Sequence, residues 1–249
     1  MGYEGLIVRD DPKSPAAEAI RTLRTNLQYL SLDKPLKSIL VTSALPSEGK
    51  TTIAANLAVA LADAGTETIL VGTDLRKPAL HRVFGLENRR GVTTILTGHS
   101  TLEESLQPTE HPRLRLLTSG PVPPNPAEML GSRAMRSLIA ELEASAEMVI
   151  FDTAPVIAVT DAALLAPAVS GAVLVVSMGY TPREIARQAK QQLEKVNAVI
   201  LGVVANRIEV NRGGSYYYYY YYGTGEEEAA AANGKAAPER PFARFFGGR

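Results

Sequence analysis

An α/β fold, with a mostly parallel sheet covered by helices on both faces, is what this sequence predicts. Three observations carry the prediction. Short, continuous apolar runs of strand length recur along the chain, and segments with helical apolar spacing lie between several of them. One such run leads into Ala44-Leu45-Pro46-Ser47-Glu48-Gly49-Lys50-Thr51, which opens an alanine- and leucine-rich helix. At 249 residues, 45% of them hydrophobic, the chain has room for one such domain and a tail.

In chain order, Ala16 to Leu30 follows Pro12 and Pro15 and places Ile20, Leu23, Leu27 and Leu30 on one face, the pattern of a docked amphipathic helix. Lys37 to Ser43 is a β-rich run entering the loop at Ala44, and Thr51 to Ala64 is helical until Gly65 ends it. Further strands are predicted at Thr68 to Gly72, Leu114 to Thr118, Met148 to Asp152, Ala172 to Ser177 and Val199 to Ala205. Helices are predicted at Ala127 to Glu143 and Pro182 to Val196. Ligands of such sheets bind at the carboxyl ends of the strands, so the residues after Ser43, Gly72 and Asp152 converge if those strands are neighbours. The expected organisation is an N-terminal extension over residues 1–15, a nucleotide-type α/β domain over 16–212, and a flexible tail over 213–249, where the composition turns to Gly, Tyr, Glu and Ala.

Composition removes several function classes. Lysine plus arginine (26) equals aspartate plus glutamate (26), so the summed charge gives no footprint for nucleic acid. The absence of cysteine removes disulfides, thiolate metal sites and thiol catalysis, and His81, His99 and His111 lack metal-ligand spacing. Met1-Gly2-Tyr3-Glu4 does not open a secretory signal, and no apolar stretch approaches the roughly 18 to 20 residues of a membrane span. A cytoplasmic protein is expected, with any membrane association made through a partner.

A phosphate-binding loop needs inward-facing backbone N–H groups and a helix N-terminus beyond them. The loop here matches Gly-x-x-x-x-Gly-Lys-[Ser/Thr], with Ala44 in place of the first glycine. Pro46, Ser47, Glu48, Gly49, Lys50, Thr51 and Thr52 are therefore the candidate nucleotide contacts. Gly49 permits close approach of the backbone, Lys50 reaches the β and γ phosphates of ATP, and the Thr51 hydroxyl faces Mg2+. Asp152 closes an apolar strand where an aspartate positions Mg2+, although a simple turn acid has the same local signature. In Gly72-Thr73-Asp74-Leu75-Arg76-Lys77-Pro78, Asp74 is a candidate for the metal shell or for proton acceptance, and Arg76 or Lys77 for phosphate; a plain surface loop is the competing reading.

Near the other end, Tyr216, Tyr217, Tyr218, Tyr219, Tyr220, Tyr221 and Tyr222 form an unbroken run between Gly213-Gly214-Ser215 and Gly223-Thr224-Gly225. It has neither strand nor helix periodicity. It reads as a segment on flexible joints that enters an active site, or as a low-complexity, sticky tract.

Taken together, these motifs resemble the bacterial tyrosine kinases, whose catalytic domain is a modified P-loop ATPase. The resemblance runs from about Pro15 to Arg207 and takes in Glu18-x-x-Arg21-x-x-Arg24-Thr25-Asn26-Leu27, the loop at 44–51, the Asp74 and Arg76 segment, Gly120-Pro121-Val122-Pro123-Pro124-Asn125-Pro126, Asp152-Thr153-Ala154-Pro155, and Leu201-Gly202-Val203-Val204-Ala205-Asn206-Arg207. It implies a P-loop NTPase fold, Lys50, Asp74 and Asp152 as catalytic residues, and Asn206 and Arg207 near the adenine. It implies tyrosine autophosphorylation in trans, in a homo-oligomeric ring assembled through Glu18, Arg21 and Arg24, with Tyr216 to Tyr222 as acceptors. It also implies regulation of capsule or exopolysaccharide synthesis and export, with a membrane polysaccharide co-polymerase as activator and a cognate tyrosine phosphatase. From the residues alone, Glu18, Arg21 and Arg24 equally suit an intrahelical surface ion pair.

One position departs from the family pattern. Asp-x-Asp-x-Arg is expected after the second strand, and Gly72 stands at the first aspartate. Two further readings stay open beside the kinase: an ATP-binding pseudokinase scaffold, motivated by Gly72, and a partition- or division-type ATPase. The second is weakened by the lack of a lysine in Ala44-Leu45-Pro46-Ser47-Glu48 and by the tyrosine run.

Overall fold

The computed structural model describes residues 5–30 and 35–208. Tyr216 to Tyr222 lie outside them, beyond the compact unit that ends at Arg207. The chain enters through α1 (Ile7–Asp10) and α2 (Pro15–Leu30), then passes from β1 (Ser38–Ser43) through the phosphate loop into α3 (Lys50–Asp63). Next come β2 (Thr68–Gly72) and the short helices α4 (Leu80–Val83), α5 (Val92–Leu96) and α6 (Leu102–Ser105). An antiparallel pair, β3 (Leu106–Pro108) and β4 (Leu114–Leu117), follows, and then α7 (Pro126–Leu130), α8 (Arg133–Ser145), β5 (Met148–Asp152) and α9 (Asp161–Leu165). The last elements are β6 (Gly171–Ser177), α10 (Arg183–Lys195) and β7 (Ile200–Asn206).

Among the described residues these strands form one seven-stranded sheet in the order β3-β4-β2-β5-β1-β6-β7. Every neighbouring pair is parallel except β3 with β4. The central strands β1 and β2 are buried along their whole length, as runs of Ile, Leu and Val without alternation require when helices cover both faces. On one face Ile39, Val41, Leu70 and Ile150 pack against α1, α2 and α3; on the other Leu40, Val71, Phe151 and Leu174 pack against α5, α8 and α9. Helix α3 is buried from Ile53 to Ala62. It lies between the sheet and α2, which explains an apolar surface running all round it rather than in one stripe.

The expected neighbour relationship holds. β2, β5 and β1 are adjacent, Gly72 pairs with Asp152, and Val41 pairs with Asp152 from the other side. In parallel strands, paired residues face the same side of the sheet. The loops following Ser43, Gly72 and Asp152 therefore open at one edge, on the α3 face.

Three elements differ from the sequence expectation. The helix expected over Ala127 to Glu143 is broken at Gly131-Ser132, where the Ser132 hydroxyl accepts the Met135 amide at 3.0 Å and caps α8 anew. Leu30, expected on the buried face of α2, is 49% exposed because the helix outruns its support there. The edge strand β3 is too short and polar to show alternation. Ahead of α2, Leu6 and Val8 are buried, and the Val8 amide donates to the buried Asn56 side chain on α3 at 3.0 Å. No helix among the described residues is long and apolar enough to cross a membrane.

Candidate active site

The loop between β1 and α3 turns on two left-handed residues, Ser47 (φ 63°) and Gly49 (φ 95°). Gly49 is required twice over: its φ suits a residue without Cβ, and a Cβ there would collide with the Asn206 side-chain amide. No side chain caps α3 at Gly49, and its first turn holds no acidic residue. Free N–H groups and the positive end of the helix therefore face outward, the arrangement that receives phosphate oxygens.

Lys50, Thr51, Asp74 and Asp152 meet at the start of α3. Lys50 Nζ donates to Asp74 Oδ2 at 2.9 Å and lies 3.6 Å from Asp152 Oδ1. Thr51 Oγ1 donates to Asp152 Oδ2 at 2.8 Å. Asp152 Oδ1 is buried without a hydrogen-bond partner. Burial opposes the Lys50 ammonium, but the Asp152 and Asp74 carboxylates outweigh it and hold its pKa above the ordinary lysine value. Burial pushes the Asp152 carboxyl above the usual aspartate range, with Lys50 and the Thr51 hydroxyl pulling the other way.

The second loop is pinned to the first carboxylate's strand. The Asp152 carbonyl accepts the Thr73 and Asp74 amides, both at 2.9 Å, and the Thr73 hydroxyl at 2.9 Å. Asp74 Oδ1 accepts the Lys77 amide at 3.0 Å, closing a turn over residues 74–77. Arg76, the candidate phosphate contact, is engaged by Asp161: Nε and Nη2 donate to its two carboxylate oxygens, each at 2.9 Å. Asp161 is fully buried at the start of α9. A Cβ on Gly72 would stand 2.8 Å from Ser119 Oγ and 3.2 Å from the Ser119 amide nitrogen, so the place of the family aspartate borders Ser119.

A nucleotide and Mg2+ fit this donor set. The orphaned Asp152 Oδ1 beside the Thr51 hydroxyl offers oxygen ligands of the kind Mg2+ takes, and a magnesium site completed by water and phosphate oxygens needs few protein ligands. Asn206 lies beside the loop, its Nδ2 donating to the Glu48 carbonyl at 2.9 Å, and the exposed Arg207 (φ 57°) follows it. The Glu48 side chain is wholly buried, the Leu45 amide donating to Oε2 at 2.7 Å and the Thr181 hydroxyl to Oε1, so it braces the loop from behind and leaves only the backbone of Glu48 to face a phosphate. Thr181 and Asp161 are the site-supporting residues that sequence reasoning missed. Neither carries a local signal beyond, for Asp161, its place at a helix start.

On α2, Glu18 and Arg21 form the intrahelical pair at 2.8 Å, and Arg21 Nη2 also donates to the Pro12 carbonyl at 2.6 Å. Arg24 turns onto α3, donating from Nη1 to the Ala60 carbonyl at 3.1 Å.

Comparison with known proteins identifies the family. A profile described as "ParA: NUBPL iron-transfer P-loop NTPase" matches residues 35–239. The tyrosine-protein kinase YwqD of Bacillus subtilis (strain 168) is 44% identical over 211 residues, which cover 85% of this chain and 89% of that one. The chain belongs to the bacterial tyrosine kinase family. Among solved structures of that family, the chimerical protein CapA2B2 superposes with a TM-score of 0.79 at 42% identity, over 84% of this chain and 92% of its own. The septum site-determining protein MinD of Pyrococcus horikoshii, solved with Mg-ADP, shares the fold at a TM-score of 0.60 and 24% identity, over 70% of this chain and 72% of its own. The tyrosine kinase relatives are thus nearer in both sequence and shape than the division-type ATPase. Iron transfer does not carry over from the profile's description to thiolate chemistry in this chain, which has no cysteine.

Proposed function

We propose that this chain is an ATP-dependent protein-tyrosine autokinase that modifies Tyr216 to Tyr222 of a neighbouring copy and so regulates surface polysaccharide synthesis and export. The observation that supports this most directly is the meeting of Lys50, Thr51, Asp74 and Asp152 at the uncapped start of α3. In this reading the loop amides from Ser47 to Thr52 hold the phosphates, and Lys50 leaves Asp74 to bind the β and γ phosphates. Thr51 and Asp152 would hold Mg2+, whose charge would offset that on the transferring group.

Asp74 then acts as the proton acceptor. It is 7% exposed against 1% for Asp152, so it lies nearer to an arriving phenol, and once Lys50 has moved its Oδ2 is free. The phenol O–H gives its proton to Asp74, the phenolic oxygen forms a bond to the γ phosphorus, and the bond to the β–γ bridging oxygen breaks to leave ADP. Asn206 and Arg207 border the adenine. Arg76 holds the loop of Asp74 through Asp161.

Assembly into a ring would use Glu18 and Arg21, which stay partly exposed on α2, while Arg24 braces α2 on α3. The membrane polysaccharide co-polymerase is the partner and activator, keeping the chain peripheral to the membrane, and a cognate tyrosine phosphatase reverses the modification. Support for the partner comes from family resemblance and from the CapA2B2 chimera.

The test is incubation of the purified chain with Mg2+ and ATP, with and without the activator's cytoplasmic segment, and mapping of phosphotyrosine by mass spectrometry beside Lys50→Met. Lys50-dependent phosphate on Tyr216 to Tyr222 supports the kinase. Bound ATP without phosphotyrosine under both conditions supports the second reading, a pseudokinase scaffold, which rests on Gly72 standing where the family pattern has its first aspartate, paired with Asp152 across the sheet.

A further inference from the structure

Glu48 sits in the middle of the phosphate loop, yet its side chain has no solvent exposure. Both carboxylate oxygens are taken by donors of the protein itself, Oε2 by the Leu45 amide at 2.7 Å and Oε1 by the Thr181 hydroxyl. Thr181 belongs to the turn after β6, where its hydroxyl oxygen accepts the Ser177 amide at 3.0 Å and its own amide donates to the Ser177 carbonyl at 2.9 Å. From the end of β7, Asn206 Nδ2 reaches the Glu48 carbonyl at 2.9 Å, and the Met178 amide donates back to the Asn206 carbonyl at 2.9 Å. Three strand ends, those of β1, β6 and β7, are thereby fastened to one residue of the loop.

The physical requirement for this fastening is clear. Ser47 and Gly49, on either side of Glu48, both hold left-handed backbone, and for Ser47 that conformation persists only where its surroundings impose it. A carboxylate removed from water is tolerated when its oxygens are hydrogen-bonded, and among the described residues Thr181 supplies the one side-chain donor Glu48 has.

We infer that Thr181 is a positioning residue for the phosphate loop, its hydroxyl holding the buried Glu48 carboxylate and so fixing the loop amides in the shape that receives a triphosphate. The inference rests on the nucleotide-binding reading above for its consequence, but its geometry does not depend on that reading. Glu48 itself makes no nucleotide contact through its side chain. Thr181 lies outside the phosphate loop and acts on it only through Glu48.

The test uses the full chain carrying Thr181→Val, which keeps the shape and removes the hydroxyl, and Thr181→Ser, which keeps the hydroxyl. Amide hydrogen exchange is first followed without nucleotide. Faster exchange at the Leu45 amide, which the Glu48 carboxylate holds, is expected in Thr181→Val and should be restored in Thr181→Ser; unchanged exchange there in Thr181→Val overturns the inference whether or not ATP binds. Titration with ATP and Mg2+ then gives the second reading. Thr181→Val should weaken binding by about ten-fold or more, the scale of a lost hydrogen bond to a charged group, with KM for ATP rising in step and kcat at saturation falling less. Thr181→Ser should lie within about two-fold of the parent, and in a Glu48→Ala background Thr181→Val should have little further effect. A serine variant as impaired as the valine one, or full additivity with Glu48→Ala, would assign Thr181 to packing and overturn the proposal. A parent chain that binds no ATP would sink the nucleotide reading, while the exchange measurement still decides the role of Thr181.

Discussion

Thr51 Oγ1 donates to Asp152 Oδ2 at 2.8 Å, while the other oxygen of the same carboxylate is buried with no hydrogen-bond partner. A native protein leaves few such atoms; here the Lys50 ammonium stands 3.6 Å away, beyond hydrogen-bond reach, so a Mg2+ bound beside the loop would give that oxygen a direct partner. The consequence is a residue that opposes stability in the metal-free protein and serves function in the loaded one. Asp152→Asn is expected to abolish Mg2+-dependent phosphotransfer, by at least about 100-fold, yet to leave metal-free thermal stability equal or higher. Thermal unfolding in EDTA beside a kinase assay checks both halves; a large loss of metal-free stability would contradict this account.

The pH dependence has a definite sign. The folded-state pKa of Asp152 is raised above its unfolded value, chiefly by burial. Its contribution to stability is therefore fully present below the ordinary aspartate pKa and is lost as pH rises through the raised one. In EDTA the parent chain should lose stability over that window relative to Asp152→Asn, and the difference between their unfolding free energies, measured against pH, should flatten above it. Saturating Mg2+ should remove the difference in slope, because the cation favours the ionised carboxylate.

Lys50→Met takes away the cation that Asp74 and Asp152 share, leaving two carboxylates in a site where Lys50 has only 11% side-chain exposure. Removing one partner of a buried ion pair costs about 3 kcal/mol or more, because the opposite charge stays behind. The variant should be inactive and less stable in EDTA, and Mg2+ should raise its melting temperature by more than it raises that of the parent. Equal shifts in the two proteins would show that the cation does not reach these carboxylates.

Gly72 pairs with Asp152 across β2 and β5 and faces the same side of the sheet, so an aspartate there would stand beside the metal-facing carboxylate. Its Cβ would approach Ser119 Oγ at 2.8 Å, which the serine relieves by rotating, and the Ser119 amide nitrogen at 3.2 Å, which yields only by a small backbone shift. Gly72→Asp should raise the autophosphorylation rate, and Ser119→Ala should enlarge that gain by clearing the hydroxyl. In EDTA the same substitution should cost stability, since a third carboxylate joins two around one lysine. Rates measured for the single and double variants decide the matter, and a gain unaffected by Ser119→Ala would remove the hydroxyl from the account.

The convergence of Ser43, Gly72 and Asp152 was legible in advance, because continuous apolar strands alternating with helices leave few sheet orders and put ligands at the carboxyl ends. Roles carried by backbone shape were legible too: Gly49 has the positive φ and close approach that a phosphate loop demands. Side-chain direction was not. The motif marks Glu48 as a loop residue, but the Thr181 that draws it inward is 133 positions away, beyond the reach of any periodicity. Arg76 shows the same limit, since nothing local to a guanidinium two residues from Asp74 reveals that its Nε and Nη2 engage a buried Asp161, 85 positions on. The break at Gly131-Ser132 was readable in principle as a serine cap, but the apolar spacing of α8 runs on from α7 and masks it.

The Arg76–Asp161 pair is bidentate and one-sided, the arginine side chain 38% exposed and the carboxylate 0%. It ties the loop that carries Asp74 to the start of α9, and Arg76 is the one charge neutralising Asp161 among the contacts described. Asp161→Asn keeps the shape and removes the charge, so the fork loses its charge-assisted geometry and Asp74 its fixed distance from Lys50. A misplacement of about 1 Å at a reacting group costs on the order of 100-fold, far more than it costs substrate affinity. Asp161→Asn should therefore lower kcat by about ten-fold or more with little change in KM for ATP, because the phosphate loop itself is untouched. Arg76→Lys, which keeps the charge but not the fork, should fall between Asp161→Asn and the parent. If kcat held while KM rose, Arg76 would belong with the phosphates after all, and its engagement by Asp161 would be a resting arrangement that ATP displaces.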